Sequence, residues 1–184
     1  MSQQENYTRP TTIEEVHERM KDFATPEGWQ RGLAYKPDPT DVFIVTPPKC
    51  GTTWMQQIVH GLRTRGSMDF DEICRVVPWI NMAHDVGIDL YAPQVAHPRA
   101  FKTHSTLDEA PKGGKYIIVV RDPCDALLSD YHFFEGMFFE KRAQSLWRRS
   151  REGPSSPGAI FGDTFFRSGI AVKMTTFFHC VTRT

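Results

Sequence analysis

Two short runs of apolar, mostly β-branched residues, Asp41–Thr46 (DVFIVT) and Tyr116–Val120 (YIIVV), constrain this chain most, because each leads through a tight loop into a helical pattern. A strand that is apolar at nearly every position has no polar face to give to water. It has to be buried on both sides, as in a parallel sheet covered by helices. The expected fold class is therefore α/β, a parallel β-sheet flanked by helices. In the first unit the helix shows Met55, Ile58, Val59 and Leu62 at i, i+3, i+4 and i+7, which predicts that they form its buried face. In the second unit Pro123 suits a first helical turn, and Cys124, Leu127, Leu128 and Tyr131 share a face. Phe101–His104 reads as a further short strand end. Thr12-Ile13-Glu14-Glu15 fits a capping box before an N-terminal helix carrying Ile13, Val16, Met20 and Phe23. Pro26–Pro39 reads as loop on its Gly and Pro content.

The 184 residues suit one domain with a real core. Lys plus Arg and Asp plus Glu are 22 each, so no global basic field exists to hold nucleic acid or an anionic membrane, and an anion site must be local. No apolar run approaches the roughly 20 residues that span a bilayer. The N-terminus lacks a secretory pattern. Cys50, Cys74, Cys124 and Cys180 are scattered without a C-x-x-C pair, so neither a zinc site nor a disulfide framework is expected, and no metal is expected. A reducing cytoplasm is the expected location.

The chemistry gathers at the carboxyl ends of the strands, where ligands of such sheets bind. Pro48-Lys49-Cys50-Gly51-Thr52-Thr53-Trp54 lies between a strand and a helix. Backbone N–H groups at a helix N-terminus attract anions. Gly51 permits close approach, Lys49 adds a charge, and Thr52 and Thr53 add hydroxyl donors and cap the helix. This is a P-loop-like cradle but not a Walker A loop, because Lys49 precedes the glycine and Cys50 stands where a magnesium-binding hydroxyl would be.

The order P-K-x-G-T-T-W resembles the loop by which sulfotransferases of the cytosolic type hold the 5′-phosphosulfate of 3′-phosphoadenosine 5′-phosphosulfate. Cys50 stands where that family usually has serine, and Trp54 matches the tryptophan that stacks on the adenine. Arg121-Asp122-Pro123-Cys124-Asp125 with Ser129, Tyr131 and Phe133 resembles the family's second cofactor motif. There the residues matching Arg121 and Ser129 hold the 3′-phosphate. Taken on their own residues, Arg121 could equally pair with Asp125, and Ser129 could be a plain helix-face serine. Phe101-Lys102-Thr103-His104 resembles the family's K-T-H segment, whose histidine is the catalytic base.

The resemblance implies catalytic roles for His104, Lys49 and Lys102, and a nucleotide site of Lys49, Cys50, Gly51, Thr52, Thr53, Trp54, Arg121 and Ser129. The implied reaction is sulfuryl transfer from 3′-phosphoadenosine 5′-phosphosulfate to a phenol, alcohol or amine, with no metal. It is compatible with a homodimer and calls for no nucleic acid and no membrane. His84, His97 and His132 are read as structural. The aromatic cluster of Tyr131, Phe133, Phe134, Phe138 and Phe139 is read as core. Two other readings stay open: an inactive relative that only binds the adenosine bisphosphate, and a nucleoside-phosphate kinase.

The chain is expected to form one domain over 1–184. Its resemblance is strongest over 41–139. Residues 141–184 change composition abruptly, carry neither of the family's closing Arg-Lys-Gly and Gly-Asp-Trp-Lys runs, and are expected to be an unassigned tail of a truncated or altered domain.

Overall fold

A computed structural model describes residues 24–137, together with Glu15 and Glu18. Glu15 and Glu18 are both helical and exposed; the rest of the expected N-terminal helix, and the tail from 138 onward, lie outside the described residues. The elements run α1 (Pro26–Leu33), β1 (Val42–Val45), α2 (Thr52–Thr64), α3 (Ile73–Val76), β2 (Ala100–Thr103), β3 (Lys115–Ile118) and α4 (Pro123–Met137).

The three strands form one sheet in the order β2-β1-β3, and both pairings are parallel. Val42 lies opposite Ala100 and Lys115, and Val45 opposite Thr103 and Ile118. The central strand carries the phosphate-type loop at its carboxyl end. Phe43, Val45 and Phe101 point to one face, where they pack with Tyr35, Ile80 and Ala110. Ile44 and Ala100 point to the other, against Val59 of α2 and Ile73 and Val76 of α3. β1 and β2 are covered on both faces, as their apolar residues required; β3 is not buried as expected, because it is an edge strand of the described sheet, with Tyr116 and Ile117 packed on the core but Ile118 53 % and Val120 64 % exposed. The α/β class and the Ala100–Thr103 strand agree with the sequence expectation.

Three further expectations need correction. Pro26–Leu33 is a helix, not loop. Thr25 caps it by accepting from the Gly28 N–H at 2.9 Å, and Pro26 occupies the first turn, where its missing N–H costs nothing. The Thr25 N–H and hydroxyl both donate to Asp85, at 2.9 and 2.6 Å, which ties the helix start to a residue 60 positions away. Gly32 in this helix lies so close to the chain that a Cβ would sit 2.3 Å from the Ile80 carbonyl oxygen.

The second correction concerns α2. It buries Thr52, Gln56, Val59 and His60, while Ile58 and Leu62 are 47 % and 77 % exposed. Half of the apolar stripe faces inward, Val59 buried and Met55 packed against the same core, while Ile58 and Leu62 give way to Gln56 and His60, to which the neighbouring layer offers a carbonyl and an aromatic ring. Gln56 donates to the Val77 carbonyl at 2.9 Å, and His60 packs edge-on against Phe70 at 5.0 Å. Trp54, Ile58 and Leu62 therefore form an exposed row at helical spacing on the opposite side. The third concerns cysteine. Cys50 and Cys74 are free thiols, but Cys124 is in a disulfide.

Candidate functional site

The loop from Pro47 to Gly51 turns back on itself through two residues in the left-handed region, Lys49 at φ 59° and Gly51 at φ 94°. Gly51 is the residue before the first turn of α2, and no side chain caps that helix. Thr52 does not cap as expected, because its buried hydroxyl pairs with the Thr46 hydroxyl. Thr53 and Trp54 stay exposed. The first N–H groups of α2 thus have no side-chain cap, which leaves them able to meet an anion. Cys50 turns inward against Ala126, and burial pushes its thiol pKa up.

Arg121 reaches the loop from 72 residues away. Its Nη1–H donates to the Lys49 carbonyl at 2.9 Å. This replaces the Asp125 pairing that was one option from sequence. A positive-φ lysine is uncommon, and a guanidinium on its own carbonyl helps hold it there. Asp122 caps α4, accepting from the N–H groups of Cys124 and Asp125 at 2.9 and 3.2 Å. Ser129 lies on the same helix, and no hydrogen bond joins it to Arg121 among the described residues.

His104 follows directly on β2. Its Nδ1–H donates to the Thr46 carbonyl at 2.8 Å, across the gap between β2 and β1. That bond assigns the proton to Nδ1 and leaves Nε2 with its lone pair. The ring meets the Trp79 indole edge-on, centroids 4.9 Å apart. Burial pushes the His104 pKa down to about 4; the Thr46 bond acts in the other direction, and Lys102 and Lys49 lower it further. The imidazole is therefore neutral at physiological pH. Lys102 is only 9 % exposed, and its Nζ lies 4.6 Å from the Trp79 ring centroid.

Two partners of Lys49 were not singled out from sequence. Its Nζ sits 3.9 Å from the centroid of Phe133, an aromatic read as core. Buried Asp130 also feels this charge: burial pushes its pKa up to about 6, with Lys49 opposing. The periodicity of α4 could have placed both on the side of the loop, but nothing local marks them as neighbours of Lys49.

Asp130 supports a pH prediction. Its folded pKa is raised above the unfolded value, so ionising it penalises the folded state increasingly as pH climbs from about 4 to about 6. Asp130→Asn is expected to raise the melting temperature above pH 6 and to lose that advantage below pH 4. Melting curves at pH 4 and pH 8 check this; equal gains at both would refute it.

The histidines read as structural lie elsewhere. His84 is exposed, 3.8 Å from Glu27, and His97 precedes Pro98 in an exposed loop. His132 is exposed on α4. No group of three or more His, Cys, Asp or Glu that could hold a metal occurs among the described residues. No described helix is long and apolar enough to cross a membrane.

The sulfotransferase domain family matches residues 39–179. Human sulfotransferase 1C2 is 27 % identical over 132 residues, covering 66 % of this chain and 44 % of that protein. Cytosolic sulfotransferase 5 of Arabidopsis thaliana is 32 % identical over 146 residues, covering 70 % of this chain and 45 % of that one. The chain thus spans less than half the length of these curated relatives. Among solved structures, mouse sulfotransferase SULT7A1 complexed with PAP superposes with a TM-score of 0.50 at 18 % identity, over 71 % of this chain and 47 % of that one, a likeness of fold.

Proposed function

The chain belongs to the sulfotransferase family, and from that premise we propose that it moves a sulfuryl group from 3′-phosphoadenosine 5′-phosphosulfate to a hydroxyl or amine of a small acceptor, with His104 as general base. One observation carries the reading: a neutral imidazole with Nε2 unprotonated stands at the end of β2, with Lys102 beside it and the Lys49 loop close by. A base with its lone pair directed away from its own backbone bond, next to two cations, suits an in-line transfer to an alcohol.

In the proposed step the acceptor oxygen attacks sulfur and forms the new O–S bond. Its proton passes to Nε2 of His104. The S–O bond to the 5′-phosphate breaks, and adenosine 3′,5′-bisphosphate leaves. Lys49 would neutralise the leaving oxygens and Lys102 the transferred group. The first-turn N–H groups of α2, with Thr52 and Thr53, would hold the 5′-phosphate. The Thr52 hydroxyl already pairs with Thr46, so its contribution would come through its N–H. Cys50, turned into the core, would likewise act through its backbone. Arg121, with one donor on Lys49, keeps others for the 3′-phosphate beside Ser129. Exposed Trp54 would stack on the adenine. No step calls for a metal. We take the chain as one domain of 1–184 with a cytoplasmic location, in keeping with the cytosolic relative.

A second reading is a nucleotide-binding relative without turnover, which needs only the uncapped start of α2 and the guanidinium of Arg121. Calorimetry with adenosine 3′,5′-bisphosphate tests the site. Binding without Mg²⁺ that weakens about tenfold or more in Arg121→Ala is expected, the loss of one charge-assisted phosphate contact. Turnover with a panel of phenols and alcohols then separates enzyme from binder. Binding that needs Mg²⁺ would turn the reading toward a kinase.

A further inference from the structure

Asn81 is wholly buried, one residue beyond the segment that pairs with the outer edge of β2. That segment is held by two backbone bonds: Lys102 N–H donates to the Pro78 carbonyl at 2.8 Å, and Ile80 N–H to the Lys102 carbonyl at 3.0 Å. The Asn81 carboxamide then makes three side-chain bonds. Its Oδ1 accepts from the Trp79 indole N–H at 3.1 Å and from the Thr103 hydroxyl at 2.7 Å. Its Nδ2 donates to the Ser105 hydroxyl at 3.1 Å. The Thr103 oxygen in turn accepts from the Ser105 N–H at 3.0 Å.

The direction of this network is settled by the donors. An indole N–H only donates, so the carboxamide atom facing it must be oxygen. Every polar atom of the group at the Asn81 side chain is thereby matched, in a place where an unmatched one would be costly. Thr103 and Ser105 flank His104 in sequence, and Trp79 carries the ring that Lys102 and His104 both touch.

We propose that Asn81 is the positioning residue of the transfer site: its carboxamide locks the Trp79 indole to the strand end 103–105, so that one ring simultaneously seats the Lys102 ammonium and walls His104 from water. The backbone already fixes where residues 78–80 run. What it leaves free is the rotation of the indole about its side-chain bonds, and the N–H bond to Asn81 removes that freedom. Without it the indole can swing away, water reaches the imidazole, and the Lys102 ammonium loses its aromatic seat.

The inference rests on the reading of His104 as the base, but its test does not require turnover. The measurement is an NMR titration of isotope-labelled His104, with binding of adenosine 3′,5′-bisphosphate followed in parallel. In wild type the His104 midpoint is expected near 4. Asn81→Leu keeps the volume and deletes the polar partner; its midpoint is expected to rise by about one unit or more toward the free value, as hydration returns. Nucleotide affinity is expected to stay within about twofold, since the loop at Lys49–Thr53 is not touched. Asn81→Asp retains the acceptor and is expected to keep the Trp79 indole N–H protected from solvent exchange, as in wild type. Should Asn81→Leu fail to fold, Trp79→Phe removes only the N–H tie and part of the ring, and its His104 midpoint is expected to move in the same direction. An unchanged midpoint in the folded variant would overturn the proposal. A wild type that binds no nucleotide would instead sink the functional reading and leave the titration result standing.

Discussion

His104→Gln is expected to reduce sulfuryl transfer by about 10²- to 10⁴-fold, the usual contribution of a positioned general base, while nucleotide binding is unchanged. Glutamine can keep a hydrogen bond to the Thr46 carbonyl, so the gap between β1 and β2 stays filled and the loss reports the base alone. The wild-type pH profile adds a second reading of the same group. A base with a pKa near 4 is active when deprotonated, so kcat/KM should rise with pH through about 4 and be level across neutrality. An ordinary exposed histidine would place that limb above pH 6. Steady-state rates of wild type and variant, with calorimetry on both, check the prediction. Turnover in His104→Gln equal to wild type would remove the base assignment.

Asp41→Ala is expected to cost about 3–5 kcal/mol of stability, the range for removing one partner of a buried ion pair. The carboxylate is wholly buried at the start of β1. Its two oxygens accept from Arg99 Nε and Nη2, both at 2.9 Å, from the Tyr35 hydroxyl at 2.8 Å and from the Asp38 N–H at 2.9 Å. Arg99, itself mostly buried, would keep its charge and lose its partner. Against a total of about 5–15 kcal/mol for a domain, this is enough to unfold much of the population. Urea denaturation followed by circular dichroism measures it. A loss below about 1 kcal/mol would put this cluster with exposed ion pairs.

Much of this frame was legible because its signals are local. The run DVFIVT announced a buried strand and YIIVV a strand, though one left half-exposed at the sheet edge, and a lysine and glycine between a strand and a helix mark an anion loop. The expected loop at 26–33 went wrong because Pro26 and Gly28 read as breakers, although proline is at ease in a first turn and Gly28 is needed where Asp85 presses in. The stripe on α2 was right at Met55 and Val59 but wrong at Ile58 and Leu62, because periodicity counts apolar residues, whereas the neighbouring layer took Gln56 for its bond to a carbonyl and His60 for its ring contact.

The sequence by itself determined the class of fold, the place of the phosphate-type loop and the residue types able to act there, since these follow from runs of a few neighbouring residues. Only the tertiary structure decided how they work together. The Nδ1 tautomer of His104 depends on a carbonyl 58 residues away, and the left-handed turn at Lys49 is held by a guanidinium 72 residues away. Asn81, a plain buried polar residue in sequence, becomes the link between Trp79 and Thr103 once the 78–80 segment lies along β2. Hydrogen bonds depend on angstroms and angles, and no local pattern encodes which distant groups the packed sheet will bring within reach.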